Sequence, residues 1–362
     1  MKKMRIFKNI LMGAAMLMAA SCEEGIDPIN RVEPGPDEAA PTVVIKYPGE
    51  GTLIRVKEDV TPIKIEFEVV DDIEIETISV MLDGTNIKEF SDFKDYRRAL
   101  DDYQYPELTN GPHTLAITAT DLSGKSSTQS VNFEKIAPYQ PVYSGEIFYM
   151  PLDGDHIELV SIVNATKVGS PGFSDDSKAG KSYAGASDAY LTFPTEGLLG
   201  DQFSAAFWYK LNAVPDRSGI LTISPPDPAK PATPNNRKNG FRLFRENAAG
   251  KQRIKLNVGN GTADNWFDGG AAADIDPAVA SWHHIAFTIS ADKAVVYIDG
   301  VIVSQGTFPG VDWTGCDILS IASGAPRFTE WNHLSDKSFV DELRLFNKAL
   351  TQEEVQAIMA GG

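Results

Sequence analysis

The stretch 281–300, SWHHIAFTISADKAVVYIDG, decides how the second half of this sequence folds. Successive side chains of a β-strand point to opposite faces, so His283 shares a face with Ile285 while His284 lies on the other. The two histidines therefore cannot bind one metal ion together. The stretch ends at Asp299-Gly300, a dipeptide that favours a tight hairpin turn. It predicts two antiparallel strands in which both histidines are structural.

Strand signals of this kind recur from residue 146 to residue 362, in segments such as EIFYMPL, FSAAFWYKL, RIKLNVG and FVDELRLF. Many short apolar segments with almost no helix between them predict a large antiparallel sandwich. One helix is expected at the end of the chain, in LTQEEVQAIMAGG. Thr351 is its N-cap and Glu354 completes a capping box three residues later.

These segments carry a resemblance to a known fold. The stretch 281–300, followed by FVDELRLFNKALTQEEVQAIM, resembles the concanavalin-A-like, laminin-G-like jelly rolls of bacterial surface proteins. The resemblance covers roughly residues 143–362 and implies an antiparallel jelly-roll sandwich with a short C-terminal helix. It does not identify a ligand, because function in such folds depends on the loops.

Residues 41–137 predict a smaller all-β domain. TPIKIEFEVVDD alternates, and it places Ile63, Ile65, Phe67 and Val69 on one face. GPHTLAITATDLSG resembles a strand of bacterial immunoglobulin-like domains, which implies an immunoglobulin-like β-sandwich. The segment DFKDYRRALDDYQYPEL within it is expected to be irregular or briefly helical. Residues 138–145 then form a linker to the jelly roll at 146–362.

The N-terminus indicates export. Residues 1–21 combine a basic start with a short apolar run and small residues, as in a cleaved signal peptide. The sequence AASC resembles the lipobox of bacterial lipoproteins, which implies lipidation of Cys22; the alternative is an ordinary secretory signal. Residues 22–40 form an acidic, flexible tether. Its acidic start resembles the export signal of Bacteroidota-type lipoproteins, which implies an outer-membrane location facing the cell exterior.

Charge limits the partners. The formal net charge of −17 argues against nucleic acid, which needs a basic surface, and leaves the lipid anchor as the expected link to a membrane. The second cysteine, Cys316, has no expected disulfide partner and is interpreted as a small buried hydrophobic residue.

A metal site is predicted on the resemblance alone. Jelly rolls of this kind often hold a structural calcium ion at the rim, which would place Asp153, Asp155 and Asp341 around it. The alternative is that the first two aspartates stabilise a turn and that Asp341 hydrogen-bonds to a neighbouring strand.

Tryptophans among Gly, Asn and Asp indicate a sugar site, because aromatic rings stack on sugar faces while amides and carboxylates bind hydroxyls. The predicted ligand-binding residues lie in three segments interpreted as loops: Trp266, Asp268, Trp313, Trp331 and Asn332. The alternative is that each tryptophan folds back onto the core. A proline-rich insertion at 224–240, SPPDPAKPATPNNRKNG, either borders this site or is a mobile loop.

No catalytic residues are predicted. Laminarinase-type hydrolases share this sandwich and carry a Glu-x-Asp-x-(x)-Glu strand, which has no match in 146–362. The expected function is therefore non-catalytic carbohydrate binding by a surface lipoprotein, with a polysaccharide or glycan as partner. A protein-binding adhesin or structural surface protein is the alternative, and a glycoside hydrolase is the third.

Overall fold

The fold is described by a computed structural model of residues 35–361, so Cys22 and most of the expected tether lie outside the described residues. The chain forms two compact units. One contains the described residues up to Leu53 together with Pro62–Lys135, and the other contains Ile54–Thr61 and the residues from Ile136 onward. No helix within the described part of the chain is long and apolar enough to cross a membrane.

The N-terminal strands form a sandwich of a three-stranded and a five-stranded sheet. The strands are β1 (Thr42–Tyr47), β2 (Leu53–Arg55), β3 (Thr61–Val70), β4 (Ile75–Leu82), β5 (Thr85–Phe90), β6 (Arg98–Leu108), β7 (Gly111–Asp121) and β8 (Ser126–Ile136). The sheet orders are β1-β3-β6 and β2-β8-β7-β4-β5. The predicted inner face of β3 is confirmed, since Ile63, Ile65, Phe67 and Val69 are all buried.

The expectation for 92–108 was wrong over most of its length. Residues Arg98–Leu108 form the edge strand β6 and not an irregular or helical segment. Inward positions there are less exposed than their neighbours, with Ala99 buried and Tyr103 and Tyr105 half-buried. The spacing of the tyrosines by two residues was a strand signal, which the surrounding charged residues obscured.

The C-terminal unit is a jelly roll of two eight-stranded sheets. Its strands before the middle of the domain are β9 (Glu146–Met150), β10 (Ile157–Glu158), β11 (Val163–Asn164), β12 (Thr166–Val168), β13 (Gly172–Ser174), β14 (Ser182–Ala184), β15 (Tyr190–Pro194), β16 (Phe203–Lys210) and β17 (Arg217–Ile223). The later strands are β18 (Phe241–Ala248), β19 (Lys251–Gly259), β20 (Asp264–Asp268), β21 (Asp274–Ile275), β22 (Trp282–Ile289), β23 (Lys293–Ile298), β24 (Val301–Thr307), β25 (Ile318–Ile321) and β26 (Phe339–Phe346). A short 3-10 helix spans Gly270–Ala273.

We name the two large sheets by their order. Sheet 1 runs β12-β15-β25-β17-β18-β19-β20, with β21 paired to β19, and sheet 2 runs β13-β14-β26-β16-β22-β23-β24, with β9 paired to β26. Their inner faces share one hydrophobic core, in which Phe203 of sheet 2 contacts Phe241 of sheet 1 at a ring distance of 5.2 Å. The all-β fold class is therefore confirmed.

The C-terminal helix α1 (Gln352–Gly361) begins with the predicted capping box. The Glu354 N–H donates to Thr351 Oγ1 at 3.3 Å, and the Thr351 N–H donates to Glu354 Oε2 at 2.9 Å. These bonds satisfy backbone donors that the first turn leaves without partners. Val355 and Ile358 of the helix pack with Ala206 and Ala286 on the outer face of sheet 2.

The two histidines of 281–300 point to opposite faces of β22, as predicted. His283 Nδ1 lies 2.8 Å from Asp299 Oδ2, at the hairpin between β23 and β24. His284 is buried against the indole of Trp208, with ring centroids 5.2 Å apart. Burial lowers the pKa of His284 to about 4, so its ring is neutral at physiological pH. Both side chains are structural.

Candidate functional site

The outer face of sheet 1 carries the most exposed tryptophan of the jelly roll. In β18, β19 and β20 the apolar residues Leu243, Leu256 and Phe267 alternate inward to the core. The residues between them therefore face outward, and these include Phe244 and Trp266. Trp266 is 43% exposed, which is costly for so large an apolar ring unless it contacts a ligand.

Trp266 contacts a second tryptophan. Its ring stacks on that of Trp331, with centroids 6.0 Å apart and planes 23° apart. The guanidinium carbon of Arg237 lies over both rings, 4.8 Å from the centroid of Trp331 and 5.9 Å from that of Trp266. We call these three residues the Trp266–Trp331 surface. A cation over an aromatic face is favourable and limits how far both groups move.

A carboxylate fixes the position of Arg237. Its Nη1 donates to Asp264 Oδ2 at 3.0 Å, and the same oxygen accepts a hydrogen bond from Asn257 Nδ2. Asn257 is buried on β19, opposite Trp266 in the strand register. Among residues 35–361 the guanidinium of Arg237 has Asp264 as its hydrogen-bond partner, and its remaining N–H groups can donate to a ligand at the exposed face of Trp266.

Two long segments meet above this face. The proline-rich insertion between β17 and β18 contacts the loop 324–336, which precedes β26. The Thr329 N–H donates to the carbonyl of Pro234 at 2.9 Å, and Asn235 Nδ2 donates to Glu330 Oε2 at 2.6 Å. The insertion therefore borders the Trp266–Trp331 surface, which is the first of the two interpretations given for its sequence.

The insertion is also fastened to the sheet. The buried Arg242 of β18 donates to the carbonyls of Asn236 and Asn239 and to the side chain of Asn257. Because a buried guanidinium must satisfy its N–H groups, these carbonyls hold the insertion close to the strand. Arg237 lies within this fastened segment, which fixes its backbone beside the two tryptophans.

Aromatic rings support the tryptophans from below. Phe244 meets Trp266 edge-on at 6.0 Å, and Phe328 meets Trp331 at 5.7 Å. His333 lies parallel to Phe328, with centroids 4.7 Å apart. This layer keeps the tryptophan rings from collapsing onto the sheet, so that one of them remains open to solvent.

The structure brings together several of the predicted ligand residues. Trp266 and Trp331 meet although they are distant in sequence, and Asn332, exposed with φ of 60°, follows Trp331 directly. Asp268 shares the outer face of β20 with Trp266, but its carboxylate pairs with Lys255 at 3.2 Å. The interpretation of Trp266 as a loop residue was wrong, because Asp264–Asp268 of the GTADNWFDGG segment form β20.

Trp313 does not join this surface. Its indole N–H donates to the carbonyl of Gly200 at 2.8 Å, and its ring packs against Phe203 and Phe241 of the core. The alternative reading of a loop tryptophan that folds back onto the core therefore describes Trp313, and this residue is not included in the Trp266–Trp331 surface. Its indole N–H has a backbone partner, as a half-buried tryptophan requires.

The aspartates predicted to hold calcium bind backbone N–H groups. Asp341 Oδ2 accepts from Lys178 and Ala179, and Asp153 Oδ1 accepts from Lys181. Asp155 Oδ1 accepts the N–H of Ile157. Within residues 35–361 no group of three or more His, Cys, Asp or Glu side chains could hold a metal ion. Calcium binding at this rim stays a prediction.

Carboxylates around the surface are held ionised. The His333 imidazole, 3.0 Å away, and the Lys255 ammonium lower the pKa of Glu246 to about 2. Hydrogen bonds from Lys230 and Asn235 likewise lower the pKa of Glu330. A general acid for glycoside cleavage needs the opposite shift, a pKa raised so that the proton is present near neutral pH. These groups suit hydroxyl binding instead.

Sequence reasoning did not identify Arg237, Asp264 or Asn235 as members of the site. All three are polar residues in segments without periodicity, and their roles follow from contacts across the chain. The one available signal was the sequence NNRK within the insertion, where amides and a guanidinium adjoin a proline-rich run. Such residues hydrogen-bond sugars frequently, but they are equally common in solvated turns.

Comparisons with known proteins agree with this fold. Residues 185–356 match the family described as the concanavalin A-like lectin/glucanases superfamily, so this segment of the jelly roll is similar to those domains. A search of curated proteins found no match.

Two solved structures illustrate the likeness. One is domain 4 of AbnA, a GH43 extracellular arabinanase from Geobacillus stearothermophilus, in complex with arabinotriose. The two sequences are 20% identical, and the match covers 59% of this chain and 97% of the AbnA domain with a TM-score of 0.46. The other is the binding domain of botulinum neurotoxin serotype C1, at 11% identity, 60% and 52% coverage and a TM-score of 0.43. Likenesses at this level carry no argument about function.

Proposed function

We propose that this protein binds glycans, without cleaving them, at the Trp266–Trp331 surface. The observation that carries the proposal is the 43% exposed ring of Trp266, held by stacking on Trp331 and flanked by Arg237. A flat exposed ring contacts the C–H face of a pyranose, and the guanidinium and nearby amides bind its hydroxyl groups. Asn332 and Asn235 supply amides at the edges of this surface.

The ligand favoured here is a neutral glycan. Arg237 is paired with Asp264, and Lys230 is paired with Glu330. Because these two cations each have a carboxylate partner, an anionic sugar would gain little from them and would meet the carboxylates as like charges. A neutral hydroxyl group can accept a hydrogen bond from the cation and donate one to the carboxylate at the same time.

A binding role is also supported by the state of the acidic groups. Retaining and inverting hydrolysis both need one carboxyl group that holds its proton near neutral pH. Glu330, which precedes Trp331, and Glu246, which pairs with His333, both have lowered pKa values. The expectation of a non-enzyme is therefore retained in this proposal.

The cellular setting is proposed from the N-terminal sequence. Cleavage before Cys22 and lipidation of its amino group and thiol would anchor the protein in the outer membrane, facing the exterior. Its test is metabolic labelling with a palmitate analogue in the native host, comparing the wild type with Cys22→Ser. Label retained on the variant, or a wild type found in the soluble fraction, would contradict the anchor.

The binding proposal is tested on a panel of immobilised neutral and acidic polysaccharides, using the full chain with Cys22→Ser. We expect binding to a neutral polysaccharide class and at least about a tenfold loss of affinity in Trp266→Ala, equivalent to about 1.4 kcal/mol. Tyr96→Ala removes an exposed aromatic ring of the N-terminal sandwich and is the matched control.

Repeating the panel with calcium and with a chelator tests the predicted metal site separately. Binding that is lost on chelation would support calcium at the rim. Equal binding by wild type and Trp266→Ala would contradict the proposed surface. No binding to any glycan, in either condition, would favour a protein partner instead.

A further inference from the structure

A second cleft lies at the edge of sheet 2 and shares no lining residue with the Trp266–Trp331 surface. It has a volume of about 380 Å³ and forms where β16 ends and β26 begins. Its lining includes Lys210, Leu211, Asn212, Pro277, Lys337 and Phe339. A cleft of this size can hold one or two sugar rings.

One aromatic ring, that of Phe339, lines the cleft, and the ring of Trp282 lies next to it. The ring of Phe339, which lines it, lies 6.5 Å from the ring of Trp282, with 38° between their planes. The indole N–H of Trp282 donates to Asp176 Oδ1 at 3.0 Å, which fixes the orientation of the ring. Both side chains are half-buried, and Leu211 and Pro277 extend the apolar wall. This wall offers a flat face for a ring.

The charge of this cleft differs from that of the first surface. Lys210 is paired with Asp176, whereas Lys337 forms no ion pair with any residue between 35 and 361. Lys337 as a residue is half-buried, and Lys337 lines the cleft together with apolar side chains. An ammonium at such a cleft, with no counter-charge among residues 35–361, can pair with an anionic ligand.

We propose that this cleft binds an acidic sugar, with the ring of a uronic acid residue against Phe339 and its carboxylate paired with Lys337. The Asn212 side chain, which also lines the cleft, binds a ring hydroxyl. Aromatic wall and ammonium together match a ring that carries a carboxylate, whereas an acidic peptide would use the ammonium and leave the flat wall without a function. The site is independent of the Trp266–Trp331 surface.

The test is calorimetric titration of the full chain, carrying Cys22→Ser, with an oligomer of galacturonic acid and with a neutral galactose oligomer of equal length. We expect binding of the acidic oligomer only, weakened by at least about tenfold in Lys337→Gln and on raising NaCl from about 50 to about 500 mM. Lys337→Arg keeps the charge and is expected to stay within about threefold of the wild type.

Controls separate the two sites. Lys251→Gln removes an exposed lysine of β19 and is expected to bind like the wild type, as is Trp266→Ala, which affects only the first surface. If the proposal for one of the two sites is contradicted, the proposal for the other can still be tested. Wild-type affinity in a Lys337→Gln protein with an unchanged melting temperature would overturn the proposal. Equal competition by polyglutamate of matched charge would overturn it too, because the cleft would then recognise charge without the ring.

Discussion

Arg245 of β18 and Asp336 form a buried ion pair, with Nη2 and Oδ1 3.0 Å apart and side-chain exposures of 0% and 1%. Asp336 belongs to the loop 324–336 that carries Trp331, and its N–H donates to the carbonyl of Ala322. Arg245 also donates to the hydroxyl groups of Tyr209 and Ser218. The pair thus connects the loop that bears half of the aromatic surface to the centre of the sandwich.

Removing one partner of this pair is expected to destabilise the fold strongly. Asp336→Ala leaves the Arg245 guanidinium buried without a counter-charge, which costs about 3–5 kcal/mol in comparable buried pairs. Urea unfolding measures the change in the free energy of unfolding. The control is Asp317→Ala, because Asp317 pairs with Arg327 but is 55% exposed, and the expected loss is below about 1 kcal/mol. Equal losses in the two variants would show that burial of the pair has no such effect.

The two tryptophans are expected to act together in binding. If a ligand needs the stacked pair, the losses from Trp266→Ala and Trp331→Ala will not add in the double variant, and the coupling will be about 1 kcal/mol. Affinity for the glycan identified on the polysaccharide panel measures it. Trp313→Phe, in the core of the domain, is expected to combine additively with Trp266→Ala. Additive losses of affinity for Trp266→Ala and Trp331→Ala would argue against a binding surface that the two tryptophans form together.

Asp341 gives the stability of the jelly roll a characteristic pH dependence. Burial, with the charge of Glu342, raises its pKa from an ordinary value of 3.8 to about 7, although backbone N–H groups oppose the shift. The native state then binds more protons than the unfolded state between about pH 4 and 7, so stability falls as pH rises through that window.

Asp341→Asn is expected to remove this fall. Relative to the variant, the wild type should lose at least about 1 kcal/mol between pH 4 and pH 7, since one pKa unit corresponds to about 1.4 kcal/mol. Thermal or urea unfolding at several pH values measures the difference, and the comparison at each pH cancels the titration of His284 and other shared groups. Parallel profiles for the two proteins would contradict the raised pKa.

The capping box of α1 is expected to contribute measurably to stability. Thr351→Ala removes the hydroxyl that accepts the Glu354 N–H, at a cost of about 1 kcal/mol in the free energy of unfolding. Thr351→Ser keeps a hydroxyl group and should recover most of the loss. If both variants unfold like the wild type, the helix terminus contributes nothing to the stability of the domain.

Strand alternation was the most informative feature of the sequence. It placed His283 and His284 on opposite faces, and it identified the inner face of β3 before any contact was known. Alternation succeeds because burial on one face of a sheet selects side chains at a period of two. It fails at exposed edges, where β6 carries charged residues at four of its eleven positions and β20 is followed by two glycines.

The candidate site could be predicted only in part. Trp266 and Trp331 were identified as surface tryptophans, but nothing in the sequence indicates that they stack or that Trp313 belongs to the core. The contact between Trp266 and Trp331 depends on the order of the strands in sheet 1. The position of Arg237 beside them depends on how Arg242 holds the proline-rich insertion. Those are contacts between residues far apart in the chain, and local patterns carry no information about them.

The Trp266–Trp331 surface is assembled from the proline-rich insertion, β20 and the loop 324–336, and the buried Phe267 and Phe328 belong to the same strand and loop. Neighbouring residues of one segment therefore divide the two roles, since one faces the surface and the next packs into the fold. Under the proposed function, substitutions at the surface-facing positions of the two loops would change which glycan is bound and leave the sandwich unchanged. Related domains can therefore differ in the ligands they bind and keep the same fold.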